Sequence, residues 1–296
     1  MYFPYLYSRG EEANAISTIC QNGFSSNTVV PIIDVSQEGT SSEAARKMIM
    51  KLINNNQHFI LLPNSDTMIS EYYDKDFDRE FYNYCILGSW NYFANDNRFN
   101  QEAILYNSIS ENFSDNNKIA YHIFLSEIFF IVNSFISQYG SNKVVPIFDA
   151  FKVWTPNANF PNQDIFLNYA FCYKYKNLNY AGFGDYTILS SLPPNNTSAN
   201  AQTITHTIHL TKESFDDKNQ KCIVVRHFLT TPSEEEDITT RSKKTISKVR
   251  QSQSEFLSTV GLKEILNVNG GTSLGRYKRV GIMHHIELMD YIIKNY

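Results

Sequence analysis

The chain has 296 residues, of which 42% are hydrophobic and 19% charged, and its net charge is −4. These values exclude a disordered chain and suffice for a sizeable core, on the scale a single α/β barrel needs. The negative balance excludes a whole-domain basic footprint for DNA or RNA, while leaving room for a local basic patch.

Short apolar runs bounded by turn residues read as buried strands, and here most of them run into a polar residue. Tyr2–Leu6 leads to Arg9, and Glu11–Cys20 follows as a helix. Val29–Ile33 leads to Asp34. Ser41-Ser42-Glu43 then opens a helix to Asn55, with Ala45, Met48, Ile49, Leu52 and Ile53 on one face. His58–Leu62 leads to Asn64, and a third helix is expected over Tyr72–Leu87. Ile104–Tyr106 leads to Asn107, and a long fourth helix is expected over Lys118–Gln138. Val144–Phe148 leads to Asp149 and Lys152, and Ala181–Phe183 leads to Asp185.

The pattern then changes. Leu192–Asn196 reads as a loop with no room for a helix. Thr205–Thr211 carries His209, and Cys222–Leu229 carries Arg226 and His227. The polar stretch Glu213–Gln220 between them predicts an antiparallel hairpin. The acidic segment Pro232–Asp237 precedes a basic helical stretch, Ile238–Val260, and Arg276–Tyr296 reads as a closing helix. The whole predicts one α/β domain over residues 1–296. It is a distorted TIM-like (β/α) barrel or a mixed sheet, with eight strand candidates and a late antiparallel hairpin.

Cys20, Cys85, Cys172 and Cys222 lie far apart and form no C-x-x-C pair, so they read as reduced, buried thiols of a cytoplasmic protein. Met1–Gly10 lacks the charged-then-apolar pattern of a secretory signal. The longest apolar stretch, Ile123–Ile136, is broken by Ser126, Glu127, Asn133 and Ser134. It reads as a buried helix, and no membrane association is expected.

If the strands are mostly parallel, their polar ends share one edge, where α/β folds hold ligands. Asp34, Asp149 and Asp185, with His227, could there hold Mg²⁺ or Mn²⁺, which favour oxygen ligands, and assist phosphoryl chemistry. In the bland alternative Asp34 and Asp149 cap the helices that follow them. Arg9 suits a phosphate clamp, and its alternative is a surface ion pair with Glu12. Asp185 follows Gly182-Phe183-Gly184, glycines that permit close backbone approach, and ranks first among the site residues. Lys152 and His209 are further ligand-binding candidates, though the spacing of His209 and His227 matches no metal motif. His284 and His285 are adjacent on a helix and point about 100° apart.

Several segments together resemble a known family. They are Met1–Leu6 with Arg9 and Glu12, Pro31–Asp34, Gly182–Tyr186, Ile208-His209, His227-Phe228, and Leu274–Arg279 through Ile282–Leu288. The chain resembles the bacterial "beta protein" family, in the branch encoded beside a protein with a PD-(D/E)XK nuclease-like pattern. Three positions depart from the family pattern: Tyr7 stands for an Arg, Asp34 for a Glu, and Asn159 for a carboxylate. The resemblance implies an intracellular prokaryotic protein of an anti-phage or mobile-element defence locus, with the nuclease-like protein as partner. Two functions follow as expectations. One is a strand-end pocket that binds or hydrolyses a phosphorylated, nucleotide-like or nucleic-acid-derived ligand. The other is a non-catalytic scaffold or regulator of that partner.

Overall fold

Parallel strands close into an eight-membered ring in the computed structural model, which describes residues 1–21, 24, 27–36, 41–65, 80–108, 116–140, 142–189, 191, 205–232 and 237–296. In order around the ring they are β1 (Tyr2–Leu6), β2 (Ile32–Asp34), β3 (Phe59–Leu62), β4 (Cys85–Trp90), β5 (Glu102–Tyr106), β6 (Ile119–Leu125), β7 (Val144–Phe148) and β9 (Phe183–Asp185). β9 lies between β7 and β1 and closes the ring. The strand skipped, β8 (Gln163–Leu167), joins β10 (His206–Phe215) and β11 (Lys221–Thr230) in a separate antiparallel sheet of order β10-β11-β8. The expected hairpin is thus present, with His209 directly opposite His227.

Side chains alternate across each strand, so one set fills the barrel and the other meets the outer layer. Phe3, Tyr5, Ile32, Ile60, Leu105 and Ile147 pack inside. Tyr2, Leu6, Ile33, Leu61 and Phe183 face outward onto the helices. These are α1 (Gly10–Gln21), α2 (Ser42–Asn54), α3 (Glu80–Tyr84), α4 (Val132–Tyr139), α5 (Tyr169–Cys172), α6 (Ile238–Gln251), α7 (Val260–Leu266) and α8 (Leu274–Asn295). Ser41 caps α2 through Ala44 N–H, and the predicted apolar face from Ala45 to Ile53 is buried. α8 packs along α1, β1 and β10, tying the antiparallel sheet to the barrel wall.

Closure at the seam depends on glycine. A Cβ on Gly184 would lie 2.0 Å from Phe3 O, and one on Gly182 would lie 2.2 Å from Met1 O. The close backbone approach expected of these glycines is therefore what lets β9 lie against β1.

Two predicted helices are corrected. Lys118–Gln138 is β6, then a 3₁₀ segment over Ser126–Ile131, and only then α4. The apolar run Ile119–Leu125 is rich in β-branched and aromatic residues, and its periodicity alone does not separate strand from buried helix. Within Tyr72–Leu87, residues 72–79 lie outside the described residues, Glu80–Tyr84 is helical, and Cys85 begins β4. The predicted loop Leu192–Asn196 and residues 233–236 of the acidic segment also lie outside the described residues. Of the basic stretch, Arg241 is buried, and Arg250 donates to the carbonyls of Leu266 and Val268. Lys243, Lys244, Lys248 and Arg250 are exposed, so apart from Arg241 the basic stretch lies on the solvated side of α6. All four cysteines are buried and unpaired. Among the described residues no helix is long and apolar enough to cross a membrane.

Candidate functional site at the barrel mouth

The carboxyl ends of β1, β2, β4 and β7, with the residue after β9, bring one polar and aromatic set together. This is the end of a (β/α) barrel where ligands are held. Tyr5 and Asp34 both point inward there, and the Tyr5 hydroxyl donates to Asp34 Oδ2 at 2.6 Å. Asp34 Oδ1 accepts from the Ser36 N–H at 2.8 Å and the Ser36 hydroxyl at 2.7 Å. Trp90 Nε1–H donates in turn to Ser36 Oγ at 3.0 Å. Asp34 is fully buried, and this shell supplies hydrogen-bond partners to both of its oxygens. The hydroxyl of Tyr5 is correspondingly pushed well above its ordinary pKa, first by burial and then by Asp34.

Tyr7 lies two residues further along the same face. Its ring stacks on that of Tyr186 with centroids 5.8 Å apart, and Tyr5 packs against both. The Arg9 guanidinium sits over the Tyr7 ring, 4.9 Å from its centroid. The Tyr7 hydroxyl feels Asp34, Arg9, Asp149 and Glu12, which places all four around the mouth. Asp149 is exposed and accepts from the N–H and hydroxyl of Ser191. Glu12 does not pair with the Arg9 side chain at short range. Its two oxygens accept from the backbone N–H groups of Tyr7 and Arg9, at 3.2 Å and 3.1 Å. Among the described residues the Arg9 guanidinium makes no ion pair.

Asp185, ranked first from sequence, is elsewhere. It points outward from β9, on the face opposite Tyr186. Its oxygens accept from the Tyr2 hydroxyl at 2.7 Å and Thr187 N–H at 2.7 Å, and both lie 3.2 Å from His285 Nε2. All four residues are fully buried. Asp185 therefore ties the barrel seam to α8. The reason is parity: Asp34 and Asp185 each end a strand, but they fall on opposite faces. Among the described residues no three of His, Cys, Asp and Glu converge as a metal set, so Asp34, Asp149 and Asp185 do not form the expected Mg²⁺ or Mn²⁺ site.

His209 and His227 lie in the antiparallel sheet rather than at the mouth. Their Nδ1 atoms are 2.7 Å apart, so one imidazole donates to the other. His227 Nε2 lies 3.5 Å from Asp164 Oδ2, and Asp164 also accepts from Trp154 Nε1–H at 3.1 Å. Phe151 and Phe160 pack against both rings. Burial lowers the His227 pKa to about 4 despite the pull of Asp164, and burial with the facing His227 lowers that of His209. Lys152 is exposed and 4.0 Å from Asp164 Oδ1. His284 and His285 diverge as expected. His284 meets Thr259 and the Thr211 carbonyl, whereas His285 meets Asp185.

Of the residues singled out from sequence, the fold brings Arg9, Asp34 and Asp149 to the mouth, turns Asp185 to the outer face of β9, and places His209 and His227 in the antiparallel sheet, with Lys152 beside Asp164. Tyr5, Tyr7, Ser36, Trp90 and Tyr186 were not singled out. Their signal was the period of two, since Tyr5 and Tyr7 share the face of Phe3. No family model, curated protein or solved structure matches this chain.

Proposed function

We propose that the barrel mouth binds an anionic, nucleotide-like ligand, with Arg9, held over the buried Tyr7–Tyr186 pair, gripping a phosphate. One observation carries this reading: a guanidinium held over Tyr7 at the ligand-binding end of the barrel, with no carboxylate partner among the described residues. A planar fork of donors so placed suits phosphate oxygens. Asp34 and Asp149 have oxygens engaged by Tyr5, Ser36 and Ser191, so they shape the mouth rather than assemble a metal. No hydrolytic step is assigned. That local pairing also favours a second reading, a regulatory partner of a nuclease-like protein in which ligand occupancy rather than turnover is the signal. The setting, a cytoplasmic protein of a bacterial anti-phage or mobile-element defence locus, rests on the family resemblance.

The test is titration with adenosine and guanosine mono-, di- and triphosphates, followed by Trp90 fluorescence and calorimetry, on wild type and Arg9→Ala. Loss of about tenfold or more in affinity, on the scale of one charge-assisted contact, is expected in the variant. Equal binding by both proteins, or no binding by wild type, overturns the reading. A complex with the nuclease-like protein that forms on co-expression and responds to the nucleotide supports the regulatory reading. Absence of that complex removes it.

A further inference from the structure

We infer that Lys278, on α8, is the second arm of the anion site and that Arg9 and Lys278 together select a terminal phosphate dianion over a singly charged phosphodiester. The inference rests on the barrel mouth being the ligand site. Its first support is the docking of α8. Gly275, in the first turn of that helix, lies so close to α1 that a Cβ there would be 2.7 Å from Glu11 Oε1. Lys278 follows three residues later, one turn on, and so shares that face of the helix. It is half-buried, and the charges it feels are those of Glu12, Arg9 and Glu11. The docking of α8 on the start of α1 thus brings the Lys278 ammonium to the side of the barrel that carries Arg9.

The second support is the pairing of the neighbouring cations. Arg276 Nε donates to Glu264 Oε1 at 2.9 Å, and Arg279 pairs with the same oxygen. Lys278, between them in sequence, makes no ion pair among the described residues, as is also true of Arg9. Of the two acids Lys278 feels, Glu12 has both oxygens occupied by backbone amides, and Glu11 keeps one buried oxygen without a hydrogen-bond partner. A half-buried ammonium beside a guanidinium is unfavourable in the empty site, and burial together with Arg9 lowers the Lys278 pKa, against the pull of Glu12 and Glu11. An anion between the two cations reverses that penalty. The planar fork of Arg9 takes two oxygens, and the compact ammonium of Lys278 takes a third. A phosphomonoester terminus has the oxygens and the charge to satisfy both, whereas a phosphodiester has one charge to share.

The experiment compares a nucleoside, its 5′-monophosphate and its 3′,5′-cyclic monophosphate on wild type, Lys278→Gln, Lys278→Arg and Arg9→Ala. Urea unfolding midpoints establish that each variant is folded. Wild type is expected to prefer the 5′-monophosphate over the cyclic form by about tenfold, the scale of one added charged contact. Lys278→Gln should weaken the 5′-monophosphate more than the cyclic form and so bring that ratio towards unity, and Lys278→Arg should preserve it. Protection of Lys278 from acetylation by inorganic phosphate, read by peptide mass mapping, gives a measure independent of the base. An unchanged ratio in Lys278→Gln, with binding still lost in Arg9→Ala, overturns the clamp and leaves the mouth reading standing. Failure of wild type to bind all three, with no protection by phosphate, overturns both.

Discussion

Asp185→Ala should unfold the barrel seam rather than silence a site. The carboxylate accepts from the Tyr2 hydroxyl and the Thr187 N–H, each at 2.7 Å, and faces His285 Nε2 at 3.2 Å. All of these groups are shielded from water, so alanine leaves three polar partners orphaned. An orphaned buried polar group costs about 1–3 kcal/mol, and removing one partner of a buried charged network costs about 3–5 kcal/mol. The expected loss is therefore about 4 kcal/mol, a large share of the ~5–15 kcal/mol that holds a typical domain together. Asp185→Asn should cost much less, about 1–2 kcal/mol. Its amide oxygen still accepts from Tyr2 or Thr187. His285 can change tautomer against its amide because the Thr211 hydroxyl at the other ring nitrogen both donates and accepts. Urea unfolding followed by circular dichroism measures both variants. An Asp185→Ala protein within about 1 kcal/mol of wild type would refute the reasoning and return Asp185 to consideration as a functional group.

Three further outcomes are expected. His284 is buried with its pKa lowered to about 4 by burial, against 6.5 when unfolded, so protonation favours the unfolded chain. Its contribution is complete above pH 6.5 and is lost as pH falls through about 4, costing roughly 2–3 kcal/mol by pH 4.5. Urea midpoints between pH 7.5 and 4.5 should decline less in a folded His284→Gln variant than in wild type. Gly184→Ala should fail to form the closed barrel, because the added Cβ meets the Phe3 carbonyl, and soluble expression with near-ultraviolet dichroism checks this. Tyr5→Phe removes the hydroxyl that donates to buried Asp34 and should cost about 1.5–3 kcal/mol in urea unfolding, a hydrogen bond to a charged group being worth that much.

The alternation of apolar runs and helical faces was legible along the chain, and it leads to the TIM-like barrel. The eight strand candidates are nevertheless not the eight barrel strands. Two of them, at His209 and His227, belong to the antiparallel sheet, while β4 and β6 complete the ring. Both missed barrel strands sit in largely apolar stretches beside a helical segment, where length and periodicity do not separate the two states. The candidate site was legible in part for a related reason. A polar residue at a strand end marks the correct edge of the sheet but not the face. Arg9, Asp34 and Asp149 reached the mouth, whereas Asp185 fell one residue out of phase and turned outward. Lys278 was not legible as a site residue, since nothing in a terminal helix indicates which strand end it will meet.

The docking of α8 has a consequence for synthesis. Through His285 it anchors the outer face of β9, and at Gly275 it lies against Glu11 at the start of α1. A nascent chain that has emerged only as far as β9 carries every barrel strand yet lacks both contacts. The buried Asp185 at the seam gains its His285 partner only once α8 has been made and has settled against α1.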